Sequence, residues 1–145
     1  MHKMRTLSLA LSSVVLLSCS SVAPVKVVTG EQCFRCRRPI VNERFASETI
    51  AGDSRSRFVS KFRGPGCMAK YLVAHPGEKP VIYVTDYASG RMIEPDAAFY
   101  VSDLVDRHTG ETEYRAYRLQ ADARAAAVEL RTTPVTWGEV LAAAQ

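Results

Sequence analysis

The stretch FASETIAGDSRSRFVSKFRGPGCMAKYLVAHPG, from Phe45 to Gly77, decides the fold. Phe45 to Ala51 and Arg57 to Phe62 are short runs with partial apolar alternation, the pattern of half-buried strands. Between them Gly52-Asp53-Ser54-Arg55-Ser56 is a group of turn formers, so the two runs are predicted to close a β-hairpin. Gly64-Pro65-Gly66 then opens a helix, since proline suits the first helical position and Met68, Tyr71, Leu72 and His75 recur at helical spacing. Pro76-Gly77 stops it.

Further along, Val81 to Thr85 reads as an apolar strand. Ala97 to Val101 and Glu113 to Arg118 read as two more, with a loop containing His108-Thr109-Gly110 between them. The alanine-rich run Gln120 to Leu130 is predicted to be helical, Pro134 to Thr136 extended, and Trp137 to Ala144 a closing helix. A hairpin, a helix, further strands and more helix make an α+β domain with a small, mainly antiparallel sheet and helices packed on it. No repeat at solenoid periods interrupts this reading.

Upstream, His2, Lys3 and Arg5 give a basic start, and the apolar run Leu7 to Leu17 follows, broken only by serines; this is how a secretory signal is built. The run is too short to span a bilayer as a helix. It ends in Leu16-Leu17-Ser18-Cys19, which resembles the bacterial lipobox, so residues 1–18 are expected to be a lipoprotein signal peptide and Cys19 the acylated first residue of the mature chain. Several acyl chains on one residue hold a protein stably on a bilayer. The expected address is therefore a bacterial membrane surface with the domain in the periplasm. Ser20 after the cysteine resembles the sorting signal for the outer membrane. Residues 19–30, with Pro24 and few charges, read as a tether, and residues 31–145 as one domain, long enough for its own core.

The whole chain carries a formal charge of +4, and loss of Lys3 and Arg5 with the signal leaves +2. The charge is uneven: residues 33–70 hold nine Lys/Arg and three acids, residues 71–145 seven and eleven. A basic half could face acidic lipid headgroups or an acidic partner, and a solvated face is the plainer reading. With no aromatic-interleaved basic motif and an extracytoplasmic address, nucleic acid is excluded as a partner.

Lipidation of Cys19 leaves three thiols, Cys33, Cys36 and Cys67, an odd number that cannot all pair within the chain. Cys33-Phe34-Arg35-Cys36 brings two sulfurs close enough to clamp a soft metal ion or to close a tight disulfide. Arg35, Arg37 and Arg38 beside them favour thiolates. A zinc knuckle, a copper site, a redox couple and a structural disulfide all remain open at this spacing. Cys67 follows Pro65-Gly66 at a helix start, where free N–H groups stabilise a thiolate, and Met68 next to it offers a thioether. Thiolates with a thioether suit Cu(I) better than zinc. His75 and His108 are the candidate nitrogen ligands.

The order Cys33-x-x-Cys36, hairpin, Gly66-Cys67-Met68-x-x-Tyr71-Leu72, Val84-Thr85-Asp86-Tyr87, Ala97-x-Phe99-Tyr100-Val101 and Val135-x-Trp137-x-x-Val140-Leu141 resembles the NosL family over nearly all of the mature domain. These are periplasmic lipoproteins that act as copper chaperones in assembling the copper centres of nitrous oxide reductase. The resemblance implies ββα-type units and a copper-binding protein rather than an enzyme; the soft ligands this chain offers, Cys33, Cys36 and Cys67 as thiolates with Met68 or His108 completing or tuning the site, would make a different site from the family's. Family members often carry Gly-Met after the second cysteine, where this chain has Arg37-Arg38. In the segment after the Tyr-Val strand, Val105 to Glu111, methionine is lacking and only His108 could bind a metal.

The expectation is a lipid-anchored carrier that passes one soft ion, Cu(I) or else zinc, between extracytoplasmic proteins by ligand exchange. The rivals are a thiol-disulfide redox protein using Cys33 and Cys36, and a structural lipoprotein with those two bridged. A thioredoxin-like pair would continue into a helix, whereas Pro39-Ile40-Val41 follows here. No Ser/His/Asp set, nucleophile elbow or paired carboxylates point to an enzyme of another kind.

Overall fold

The structure, a computed structural model, describes residues 22–53 and 55–145. The hairpin forms as β1 (Ser47–Gly52) and β2 (Arg57–Phe62) in antiparallel register, with Ser47 opposite Phe62 and Gly52 opposite Arg57. Its turn is built by Asp53, whose Oδ1 accepts the N–H groups of Arg55 and Ser56 at 2.8 and 2.9 Å. Gly52 sits at φ 91°, and a Cβ there would lie 1.9 Å from the Ser56 carbonyl oxygen, so the position requires glycine.

Helix α1 (Pro65–Ala74) follows with Pro65 in its first turn. After it β3 (Val81–Thr85) returns alongside β1, and the short β4 (Met92–Ile93) adds an edge, giving the antiparallel order β2-β1-β3-β4. A 3-10 turn at Pro95–Ala97 leads into β5 (Phe99–Val105), which pairs with β6 (Thr112–Tyr117) through a bulge between Ser102 and Leu104. Helices α2 (Gln120–Glu129) and α3 (Trp137–Ala142) complete the chain. The fold is α+β, as expected.

Two ββα units are visible, β1-β2-α1 and β5-β6-α2. In each, the chain returns after the helix to the first strand of the hairpin: β3 pairs with β1, and Val135 forms an antiparallel bridge with Tyr100 of β5. The units are joined where Asp86, at the end of β3, bridges Ala116 of β6, with Tyr87 N–H on the Ala116 carbonyl at 2.7 Å. The main core lies between them and contains Ile40, Phe62, Met68, Val84 and Tyr100, all fully buried, with Trp137 and Val140 of α3. Full burial of aromatic or aliphatic groups this size contributes about 2–3 kcal/mol each. A smaller cluster, including Val101, Tyr117 and Ala123, lies under α2.

Helix α1 approaches β6 closely because two glycines allow it. A Cβ on Gly66 would lie 2.1 Å from the Thr112 carbonyl oxygen, and one on Gly64 would lie 1.7 Å from Oε2 of Glu113. The signal peptide, Cys19 and Ser20 lie outside the described residues. Of the stretch read as a tether, the part from Val22 is bound to the sheet: Tyr83 Oη donates to the Val22 carbonyl, Arg57 donates to that of Ala23 at 2.7 Å, and Val25 N–H donates to buried Glu48 at 2.7 Å. Val27 is buried.

Candidate metal centre

The Cys33–Cys36 loop is a closed turn. Gln32 bridges Pro39, Cys33 N–H donates to the Arg38 carbonyl at 2.8 Å, and Arg37 N–H donates back to the Cys33 carbonyl at 3.0 Å. Arg37 takes the left-handed conformation, φ 61°, that lets so short a turn close. Phe34 anchors the turn to the domain: its N–H donates to the Lys61 carbonyl of β2 at 2.7 Å, and its ring meets Phe62 and Tyr71 edge-on. Arg37 lies over the same ring, 5.4 Å from its centre.

Held this way, the turn faces the first turn of α1. The ligand atoms of Cys33, Cys36 and Cys67 all lie within 4.8 Å of one another, and among the described residues they form the one such group of three or more Cys, His, Asp or Glu. Cys33 and Cys67 are fully buried, Cys36 is partly exposed, and all three are free thiols. The sulfurs of Cys33 and Cys67 share a hydrogen bond at 3.4 Å. That bond draws the Cys33 thiol down to about 5 against the opposing effect of burial, helped by the backbone N–H groups of Cys36 and Arg63. Its counterpart is a Cys67 thiol pushed upward by the same bond, by burial and by the negative charge of its neighbours. The pair thus releases one proton readily and holds the other.

Around the sulfurs runs a ring of charge. Arg35 donates to Cys67 Sγ at 3.8 Å and pairs with Glu111 at 2.8 Å, and Lys70 reaches Glu111 at 3.6 Å. Arg63 pairs with Asp106 at 2.7 Å and approaches Glu113 at 3.6 Å, and Arg38 also pairs with Asp106. The Arg38 hydrogen bond, with those from His108 and Thr109 N–H, holds the Asp106 carboxyl well below the usual range. Glu113 is 6% exposed, and neither of its carboxylate oxygens has a hydrogen-bond partner. Burial drives it up to about 7, assisted by negative charge at Cys33 and Glu111, and Arg63 and the nearby Cys67 N–H offset only part of this.

The three thiols named from the sequence are therefore brought together. Met68 is fully buried in the main core, with its N–H donating to the Gly64 carbonyl. His108 is exposed in the β5–β6 loop, its N–H on Asp106 Oδ1 at 2.9 Å, and it does not belong to the thiol group. Nor does His75, which caps α1 and stacks on Tyr71. Of the three arginines near the Cys33–Cys36 pair, only Arg35 touches a sulfur. Asp106, Glu111 and Glu113 were not anticipated. Their one sequence signal is the i, i+2 spacing of Glu111, just before β6, and Glu113 within it.

No family model and no curated protein matches the chain by sequence. By structure it is similar to the copper chaperone NosL from Shewanella denitrificans, with a TM-score of 0.60 and 17% identity over 80% of this chain and 96% of that one. At that identity the likeness shows a common fold.

Proposed function

We propose that this chain is a carrier of one soft metal ion, Cu(I), held by Cys33, Cys36 and Cys67 and passed by ligand exchange to an extracytoplasmic partner such as nitrous oxide reductase. The observation that carries this is the convergence of three thiols, and no other described Cys, His, Asp or Glu ligand atom, within 4.8 Å. An all-sulfur set selects soft ions, and three ligands satisfy Cu(I), whereas zinc would keep an open fourth position. Three thiolates around a monovalent ion leave excess negative charge, which Arg35 at Cys67 and Arg63 facing Cys36 and Cys67 offset. The fold shared with a copper chaperone supports the same reading. A carrier rather than an enzyme also suits a site with one partly exposed cysteine through which exchange can begin.

Acylation of Cys19 would hold the domain at a membrane, so that donor and acceptor must lie within reach of its surface. Met68, buried in the main core, and His108, exposed in the β5–β6 loop, stand outside this ligand set.

Reduced protein is expected to take up one Cu(I) per chain in competition with a chromophoric Cu(I) chelator, and Cys33→Ser/Cys36→Ser to lose that uptake. No uptake by the reduced protein, or uptake unaltered in the double variant, would overturn the proposal.

A further inference from the structure

We infer that the same three thiols form a disulfide relay in which Cys36 attacks a low-molecular-weight disulfide and oxidation ends as a Cys33–Cys67 bridge. The inference rests on the thiol cluster and not on the identity of the ion it carries.

Three features of the geometry lead to it. Only Cys36 is partly exposed, while Cys33 and Cys67 are fully buried, so a solution disulfide meets Cys36 first. Every sulfur lies within 4.8 Å of the other two, so exchange can pass along the trio with small movements. Finally, Cys33 and Cys67 already share a contact at 3.4 Å.

The steps balance as ordinary thiol–disulfide exchange. The Cys36 thiolate attacks one sulfur of oxidised glutathione, forming a mixed disulfide and expelling one glutathione. Cys33 then attacks the Cys36 sulfur, which forms a Cys33–Cys36 bond and expels the second glutathione. Cys67 attacks the Cys33 sulfur in turn, and Cys36 leaves as a thiolate that takes up a proton. The net change is loss of two hydrogens from Cys33 and Cys67 and reduction of one glutathione disulfide to two thiols. Arg35, 3.8 Å from Cys67 Sγ, faces the sulfur that must become negative for the last step.

The relay should finish at Cys33–Cys67 for two reasons. A bridge between these residues closes a loop of more than thirty residues, which constrains the unfolded chain far more than the four-residue Cys33–Cys36 loop. It also leaves the free thiol at the one position open to water and shields the bond from returning glutathione. Such a bridge removes two of the three soft ligands at once, so oxidation would expel a bound ion and block reloading.

The test is to treat reduced full-length mature protein with oxidised glutathione, trap thiols with an alkylating agent in acid, and map the disulfides by mass spectrometry over time. The expected result is two glutathiones released per chain, a transient adduct confined to Cys36, a final Cys33–Cys67 bridge and an alkylated Cys36. A final Cys33–Cys36 bridge, or a stable Cys36 adduct without any bridge, would overturn the inference. In Cys36→Ser the Cys33–Cys67 bridge should form at least tenfold more slowly, and an unchanged rate would remove Cys36 as the point of attack. Cu(I) uptake, measured on the same reduced sample, tests the carrier proposal alone, so the two ideas fail separately.

Discussion

Glu113 offers the sharpest test of the charge arrangement around the thiols. Its carboxyl is buried, both oxygens lack hydrogen-bond partners, and its ionisation moves from 4.5 to about 7. At ~1.4 kcal/mol per pH unit, this makes the charged form about 3 kcal/mol less compatible with the folded state than with the unfolded one. The sign follows from proton binding. Folded Glu113 keeps its proton up to about pH 7, while the unfolded chain loses it above 4.5, so the stability this group allows is complete below pH 4.5 and declines from there to 7. Glu113→Gln keeps the shape and removes the ionisation. Urea unfolding of both proteins at intervals from pH 4 to 8 is the assay. The stability of the variant relative to the natural protein should rise by about 3 kcal/mol between pH 4 and pH 8. Cys33, whose thiol is lowered to about 5, contributes a slope of the opposite sign, and because its charge is one cause of the Glu113 shift the comparison is repeated with Cys33→Ser in both proteins. Parallel stability curves would refute the reasoning, because they would mean Glu113 ionises in the folded protein as easily as in water.

Three other substitutions probe neighbouring parts of the site. Gly66→Ala places a Cβ 2.1 Å from the Thr112 carbonyl, so β6 must back away from α1; unfolding measurements should show a loss of about 2 kcal/mol, the usual scale of overpacking. Arg35→Met removes the cation from Cys67 and should weaken Cu(I) retention roughly tenfold in chelator competition, the scale of one charge-assisted contact. His108→Ala should leave Cu(I) uptake unchanged, since the residue is exposed in the β5–β6 loop outside the thiol group; loss of uptake would bring that loop into the site.

The parts of the fold written in local pattern were legible. Arg57–Phe62 and Val81–Thr85 are strands with the bounds expected from their residues, and α1 begins at Pro65 because proline is compatible with a helix start and the apolar spacing follows it. β5 differs from the expected Ala97 to Val101: Ala97 belongs to a 3-10 turn opened by Pro95, and the strand runs on to Val105. The bulge between Ser102 and Leu104 breaks the alternation, and Leu104 and Val105 project into solvent at 58% and 63% exposure, so no period marks that end. β4, two residues long, is too short to leave a period at all. The same division holds at the site. Cys33 and Cys36 announce themselves by spacing and Cys67 by the Gly-Pro-Gly before it. The carboxylates opposite their arginines do not, because Asp106, Glu111 and Glu113 arrive from a hairpin far along the chain, and an ion pair between distant segments has no local signature.

That arrangement has a consequence for how loading and folding are linked. The cysteines come from the loop before the first ββα unit and from its helix, while the acids that hold Arg35, Arg38 and Arg63 belong to the second unit. The thiol cluster is therefore a seam between the two halves. An ion bound there would join the Cys33–Cys36 loop directly to α1, and through Arg35 and Glu111 to the β5–β6 loop. Ions that bind only the folded form stabilise it by mass action, and the effect here should fall on the docking of the halves rather than on either hairpin alone. The glycines at 64 and 66 belong to the same logic. They let β6 come close enough for Glu113 to lie beside the sulfurs, at the expense of leaving a buried carboxyl without a hydrogen-bond partner. Burial makes negative charge on that carboxyl costly beside Cys33 and Glu111, and Arg63 offsets the cost in part.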